Sequence, residues 1–182
     1  IRDICVTGVQ TCALPISLLE RAPEIPPGGA LLLLGSGESS DAYHMSSPHP
    51  EGLGARMAMV AALRSAGLRP EDVDYVNLHG TATPANDAAE GKAVNALFGD
   101  RVPCSSIKGA TGHTLGAAGA VEAVVCALAL SNDLLPGGAN TGTLDPDIPV
   151  AYLLKSRPGR LRHALSNSFG FGGSNCSLIL GV

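Results

Sequence analysis

His113 to Leu130, HTLGAAGAVEAVVCALAL, is apolar or small nearly all the way round a helical turn. A helix without a wet face has to lie among other layers. The stretch falls short of the ~20 apolar residues that a membrane span needs and carries Glu122 within it, so it reads as a buried helix rather than a bilayer segment. Working outward, strands and helices alternate. The aliphatic run Ala30 to Glu38, ALLLLGSGE, predicts a buried strand, and Asp41 to Gly54, rich in Ser, Pro, Gly and His, predicts a loop. Leu53, Met57, Val60 and Leu63 recur at helical spacing, with Gly67 and Pro70 as the stop. Val73 to Leu78 predicts a strand that delivers His79 at its end, and Asp87 to Phe98 a helix closed by Gly99. Val150 to Leu154, Leu161 to Ser166 and Asn175 to Leu180 predict a closing strand cluster, the last two strands joined by FGFGGS. Alternating elements followed by strands imply an α/β fold with a mixed sheet.

Composition narrows the function classes. The chain has 182 residues and is 45% hydrophobic, enough for a core in one globular unit. A net charge of −4, with 12 Lys and Arg spread along the chain, leaves no footprint for nucleic acid. Five cysteines without a CxxC pair suggest neither a disulfide framework nor a zinc cage, which fits a reducing cytoplasm. No metal is expected: His79, Asp87 and Glu90 lack a reliable ligand spacing.

Residues Val6 to Ile16, VTGVQTCALPI, match the in-frame translation of a common sequencing-adapter oligonucleotide. Residues 1–16 are therefore expected to be non-native and are set aside from the fold, with the native domain running over 17–182. Cys5 and Cys12 then carry no functional meaning.

Three clusters carry the chemistry: His79-Gly80-Thr81-Ala82-Thr83 with Asp87 and Glu90; Ser106-Ile107-Lys108-Gly109-Ala110-Thr111-Gly112-His113; and Asn167-Ser168-Phe169-Gly170-Phe171-Gly172-Gly173. Read by itself, His79 sits where a strand gives way to a glycine turn and can face a cleft or be a satisfied structural ring. His113 is expected to open the apolar helix, where the macrodipole keeps the imidazole neutral; it can also be a simple cap. Lys108, between Ile107 and Gly109, is not expected to be a plain solvated side chain. Asp87 and Glu90 have the spacing of a capping box. Glycines 170, 172 and 173 allow positive φ and close backbone approach, as in a tight hairpin.

HGTxT, KxxxGH followed by LGAAG, and SFGFGG, in that order between about Leu31 and Leu180, resemble the C-terminal signatures of β-ketoacyl-[acyl-carrier-protein] synthases, members of the thiolase-like condensing enzymes. The resemblance implies the C-terminal half of a five-layer αβαβα domain. It implies decarboxylative Claisen condensation of a malonyl thioester with an acyl thioester, in fatty-acid or polyketide and polyene synthesis. Within it His79 and His113 look like the pair of donors for the enolate oxygen, with Lys108 as their support and Glu90 as the natural partner of Lys108. A general-base role for one histidine stays open. Thr81 and Thr83 look like the hydroxyls that bind the phosphopantetheine arm. The backbone N–H of Phe171 looks like an oxyanion-hole donor and its ring a gate, with Gly172 and Gly173 at the substrate. No cofactor is implied beyond the phosphopantetheine of the acyl carrier protein, which would be the partner, and the complete enzyme would be a homodimer.

The nucleophilic cysteine is missing. Cys104 lies at a strand entry, Cys126 in the buried helix and Cys176 in the last strand, none at a sharp strand-to-helix elbow. The nucleophile is expected in an N-terminal half outside this sequence, so that the chain by itself is expected to expose an apolar face and to be inactive or insoluble. The alternative is a non-catalytic partner similar to chain-length-factor subunits; the presence of His79, Lys108 and His113 favours the enzyme. A thiolase would show a second cysteine in a C-terminal glycine motif, and GFGGSN and GAAGA are too short and wrongly ordered for a dinucleotide fingerprint. Ala82, and PANDAAE in place of PxGDxxE, lean toward a specialised pathway.

Overall fold

The computed structural model describes residues 19–21 and 30–182. The adapter-like segment 1–16 lies outside them. Strand β1 (Leu32–Ser40) is followed by helix α1 (Leu53–Ala66), strand β2 (Tyr75–Asn77), helix α2 (Pro84–Phe98) and strand β3 (Cys104–Ser105). A single helical turn, α3 (Lys108–Thr111), leads to helix α4 (Ala118–Ser131) and the small pair β4 (Leu134–Leu135) and β5 (Arg157–Pro158). The chain closes with β6 (His163–Gly170) and β7 (Ser174–Gly181).

Five strands form one mixed sheet in the order β1-β7-β6-β2-β3. β7 runs antiparallel to β1 and β6, whereas β2 runs parallel to β6 and β3, with Asn77 opposite Ser166 and Ser105. The β6–β7 hairpin is the one expected from FGFGGS. Strand alternation sends neighbouring side chains to opposite faces. Val76, Leu165 and Ile179 pack with Met59, Leu63 and Phe98 of α1 and α2, while Tyr75, Ala164 and Leu180 pack with Cys126, Ala129 and Leu130 of α4. The sheet is thus covered on both faces, giving three layers. Contact with α1 is close because β1 offers glycine there: a Cβ at Gly37 would fall 2.1 Å from the Ala58 carbonyl oxygen.

Four expectations are corrected. The helix expected from His113 starts at Ala118, after a 3₁₀ turn at Leu115–Ala117. Gly112 at φ 68° and Leu115 at φ 52° take the chain out of the helical region first. The helix expected from Asp87 starts at Pro84, with Thr83 as N-cap, because proline is well suited to the first helical position. The strand expected over Val150 to Leu154 shrinks to a single parallel bridge between Tyr152 and Cys104, since β3 has only two residues to pair with. α4 is also not enclosed on all sides by the described residues: Val124 and Leu128 are more than half exposed.

Candidate active site

The parallel strands β2, β3 and β6 end on the same side of the sheet, and the sequence just beyond their carboxyl ends builds the site. His79 lies two residues past β2, Ser106 and Lys108 follow β3, and Phe169 and Gly170 finish β6. Each is delivered by a strand fixed in the core, which is how a fold holds reactive side chains in place.

Lys108 organises the cluster. Its ammonium group is buried and has three protons, and it finds three acceptors: the His79 carbonyl oxygen, the His79 Nδ1 at 3.3 Å and the Glu122 carboxylate. Glu122, the one charge in the apolar α4 helix, is also buried and forms an ion pair with Lys108; it further accepts from the Ser168 hydroxyl at 3.4 Å. Burial pushes the Glu122 carboxyl up while the lysine pulls it down. Removing either partner would leave a buried charge alone. Lys108 thus meets Glu122 rather than Glu90, correcting the partner expected from the resemblance.

Glu90 does something else. From the far face of the sheet it accepts the backbone N–H groups of His79 and Gly80, both at 2.8 Å, and the Asn167 amide at 3.2 Å. It fixes the backbone that carries the histidine. The capping box fails as well, because Asp87 lies inside the helix with its N–H bonded to the Thr83 carbonyl. Desolvation raises the Glu90 carboxyl to about 7 against the pull of its donors and of Lys108.

The two imidazoles meet edge to face, with ring centroids 5.3 Å apart at 85°. The Phe169 ring also packs on His79, with centroids 5.6 Å apart at 56°. An ammonium can only donate, so the Nδ1 of His79 beside Lys108 is an acceptor and the proton of the neutral ring sits on Nε2. At His113 the Leu115 backbone N–H donates to Nδ1 at 3.1 Å, which fixes the same tautomer. Both rings are held neutral. Desolvation, then the charge of Lys108 and the neighbouring His113, pull His79 down to about 3; desolvation and Lys108 also lower His113. The pair therefore presents two neutral Nε2–H donors.

Around this cluster lie the remaining residues. The Thr81 and Thr83 hydroxyls bond each other at 2.9 Å, next to His79. Phe171 is 83% exposed at the tip of the β6–β7 turn, where Gly172 and Gly173 take φ 80° and 79°. Gly172 N–H donates to the Met45 carbonyl oxygen and Asp41 N–H to that of Gly173, so the loop after β1 holds the turn. Cys104 and Cys126 are buried with thiols pushed up to about 12, and burial also raises Cys176, so none is a ready thiolate. The sequence motifs contain Asn167 and Ser168 and the apolar stretch contains Glu122, but none of the three is assigned a role there. For Glu122 the available signal is a lone acid in an otherwise apolar helix, which must find a cation.

Residues 31–141 match the family model for the beta-ketoacyl synthase, C-terminal domain. The chain belongs to that family. It is 41% identical over 182 residues to 3-oxoacyl-[acyl-carrier-protein] synthase 2 of Mycobacterium tuberculosis, covering 99% of the chain and 44% of that protein. It is 46% identical over 154 residues to the mitochondrial 3-oxoacyl-[acyl-carrier-protein] synthase of Arabidopsis thaliana, covering 81% of the chain and 33% of the relative. The chain spans less than half the length of these curated relatives. A solved ketosynthase in complex with its chain length factor from Xenorhabdus doucetiae matches with TM-score 0.81 and 51% identity over 87% of this chain and 40% of that one. A β-ketoacyl synthase from Burkholderia phymatum matches with TM-score 0.78 and 38% identity, covering 82% of this chain and 36% of that one. These likenesses place the synthase C-terminal domain on the thiolase-like α/β fold expected from its motifs.

Proposed function

We propose that this domain supplies the decarboxylating half of a β-ketoacyl-[acyl-carrier-protein] synthase. The observation that carries the reading is the meeting of His79 and His113, each with Nδ1 occupied by a donor and Nε2–H free of that bond. When a malonyl thioester loses CO₂, the electron pair of the breaking carbon–carbon bond moves into the thioester as an enolate, with charge on its oxygen. Two neutral N–H donors stabilise that oxygen, and losing one such donor costs about 10²–10³ in rate. The enolate carbon then attacks an enzyme-bound acyl thioester, and the enzyme's thiolate leaves as the new carbon–carbon bond closes. In this reading Lys108 sets the tautomer of His79, Glu122 balances the lysine, and Glu90 fixes the backbone. The Phe171 N–H serves the oxyanion of the acyl thioester, Gly172 and Gly173 let the backbone approach it, and Thr81 and Thr83 face the phosphopantetheine arm. The nucleophilic cysteine comes from outside the described residues, so the domain is inactive alone.

The substrates in this proposal are malonyl and acyl thioesters on acyl carrier protein, without a further cofactor, in fatty-acid or polyketide synthesis. The assembled enzyme is a cytoplasmic homodimer; among the described residues no helix is long and apolar enough to cross a membrane. The test is to express the complete reading frame and supply malonyl-loaded and acyl-loaded acyl carrier protein. Release of CO₂ with a 3-oxoacyl product supports the reading. A folded protein that releases none overturns it in favour of a partner resembling a chain length factor.

A further inference from the structure

Lys108 and His113 are carried by α3, a single helical turn, and by the loop that leaves it. A helix of four residues has too few internal hydrogen bonds to hold its own orientation. Lys108 is tied down at its side chain by Glu122 and His79, whereas His113 is exposed and its ring has one hydrogen bond, to the next residue but one. Something else has to fix the segment between them.

The structure provides it from the loop after β4. The Asn140 amide Nδ2 donates to the Gly109 carbonyl oxygen at 2.7 Å, and the Ala139 carbonyl oxygen lies so close that a Cβ on Gly109 would come within 2.0 Å of it. Asn140 is itself at φ 59°, a left-handed conformation that Asn accepts more readily than most residues. The loop is anchored in the core: the Ser105 hydroxyl donates to the Pro136 carbonyl oxygen at 2.8 Å, and the Gly138 N–H to that of Leu153 at 2.7 Å. The Tyr152 hydroxyl bonds Thr141 Oγ1 at 3.3 Å and accepts the Ser106 N–H at 3.4 Å, which ties the loop to the start of the Lys108 segment.

We infer that Asn140 is a positioning residue for His113, acting through α3. The inference rests on the proposed decarboxylation chemistry. Asn140 touches no reacting atom: its amide sets the rotation of α3, and that rotation sets where the chain emerges at Gly112 and aims the His113 ring. Two variants isolate the amide. Asn140→Gly keeps the left-handed backbone and removes the side chain; Asn140→Asp keeps the shape but turns an oxygen toward the Gly109 carbonyl.

The experiment measures malonyl decarboxylation and acyl loading separately in the protein of the complete reading frame. Asn140→Gly is expected to lower the kcat of decarboxylation on the order of 10-fold, Asn140→Asp more, with KM and acyl loading unchanged. In a His113→Ala background Asn140→Gly is expected to cost nothing further, because its effect passes through His113. Unchanged decarboxylation in both variants, an equal fall in loading, or full additivity with His113→Ala overturns the inference. An unsubstituted protein that loads acyl groups but never decarboxylates malonyl thioester brings down the underlying reading instead.

Discussion

His79 and His113 present the same tautomer but are held in opposite ways. His79 is buried, its backbone fixed by Glu90, its carbonyl and ring both bonded by Lys108, and its ring flanked by Phe169. His113 is exposed on a loop between a helical turn and a 3₁₀ turn, with one backbone donor on its ring. The first is positioned by the core and the second by local chain geometry. Damage to the core should therefore reach His79 and stability together, whereas loss of the His113 side chain should reach chemistry alone.

The largest expected effect breaks the His79 side. Glu122→Ala leaves Lys108 buried without its counter-charge, which is expected to cost about 3–5 kcal/mol in a denaturant titration and to abolish decarboxylation. Next come the two histidines themselves. Each alanine variant removes one donor and is expected to lower decarboxylation about 10²–10³-fold. They differ in stability: His79→Ala lowers the midpoint of unfolding, while His113→Ala stays within about 0.5 kcal/mol of the parent, as exposed positions do. Equal destabilisation would end the contrast. Gly112→Ala sharpens it from the loop side. Gly112 sits at φ 68°, ψ 174° with nothing within 4 Å of an added Cβ, so the cost is backbone strain alone, about 1–3 kcal/mol.

The carboxylate behind His79 gives a pH test. Folding raises Glu90 from 4.5 to about 7, so the folded protein binds more protons than the unfolded chain between those values. Stability from this group is present at acid pH and is lost as pH rises through about 7. Glu90→Gln is expected to flatten the slope in that window, because its side chain accepts from the same backbone region but does not titrate. The smallest effect belongs to Ala82, a non-glycine residue at φ 61°. Ala82→Gly is expected to relieve about 1 kcal/mol of strain, measured by thermal unfolding.

The same contrast explains what could be read in the sequence. Periodicity gave α1, β6 and β7 and brought His79 to a strand end, because those features depend on neighbours close in the chain. The hydrophobic pattern puts His113 at a helix start, because the left-handed residues that delay the helix to Ala118 leave no mark on it. Glu90 followed capping spacing, although Thr83-Pro84 carried the stronger start signal. The pairing of Lys108 with Glu122 joins residues whose approach depends on the layering of α4 on the sheet, so spacing alone could not reveal it. That both charges were buried and needed partners was nonetheless written in their apolar surroundings.

The most direct test of the central claim is ¹⁵N NMR of the imidazole nitrogens in the intact protein at neutral pH, assigned with His79→Gln and His113→Gln. The expected result is two neutral rings with Nε2 protonated and Nδ1 accepting, His79 staying neutral down toward about 3 and His113 titrating below its ordinary 6.5. A proton on Nδ1 of either ring, or an imidazolium at neutral pH, would contradict the account.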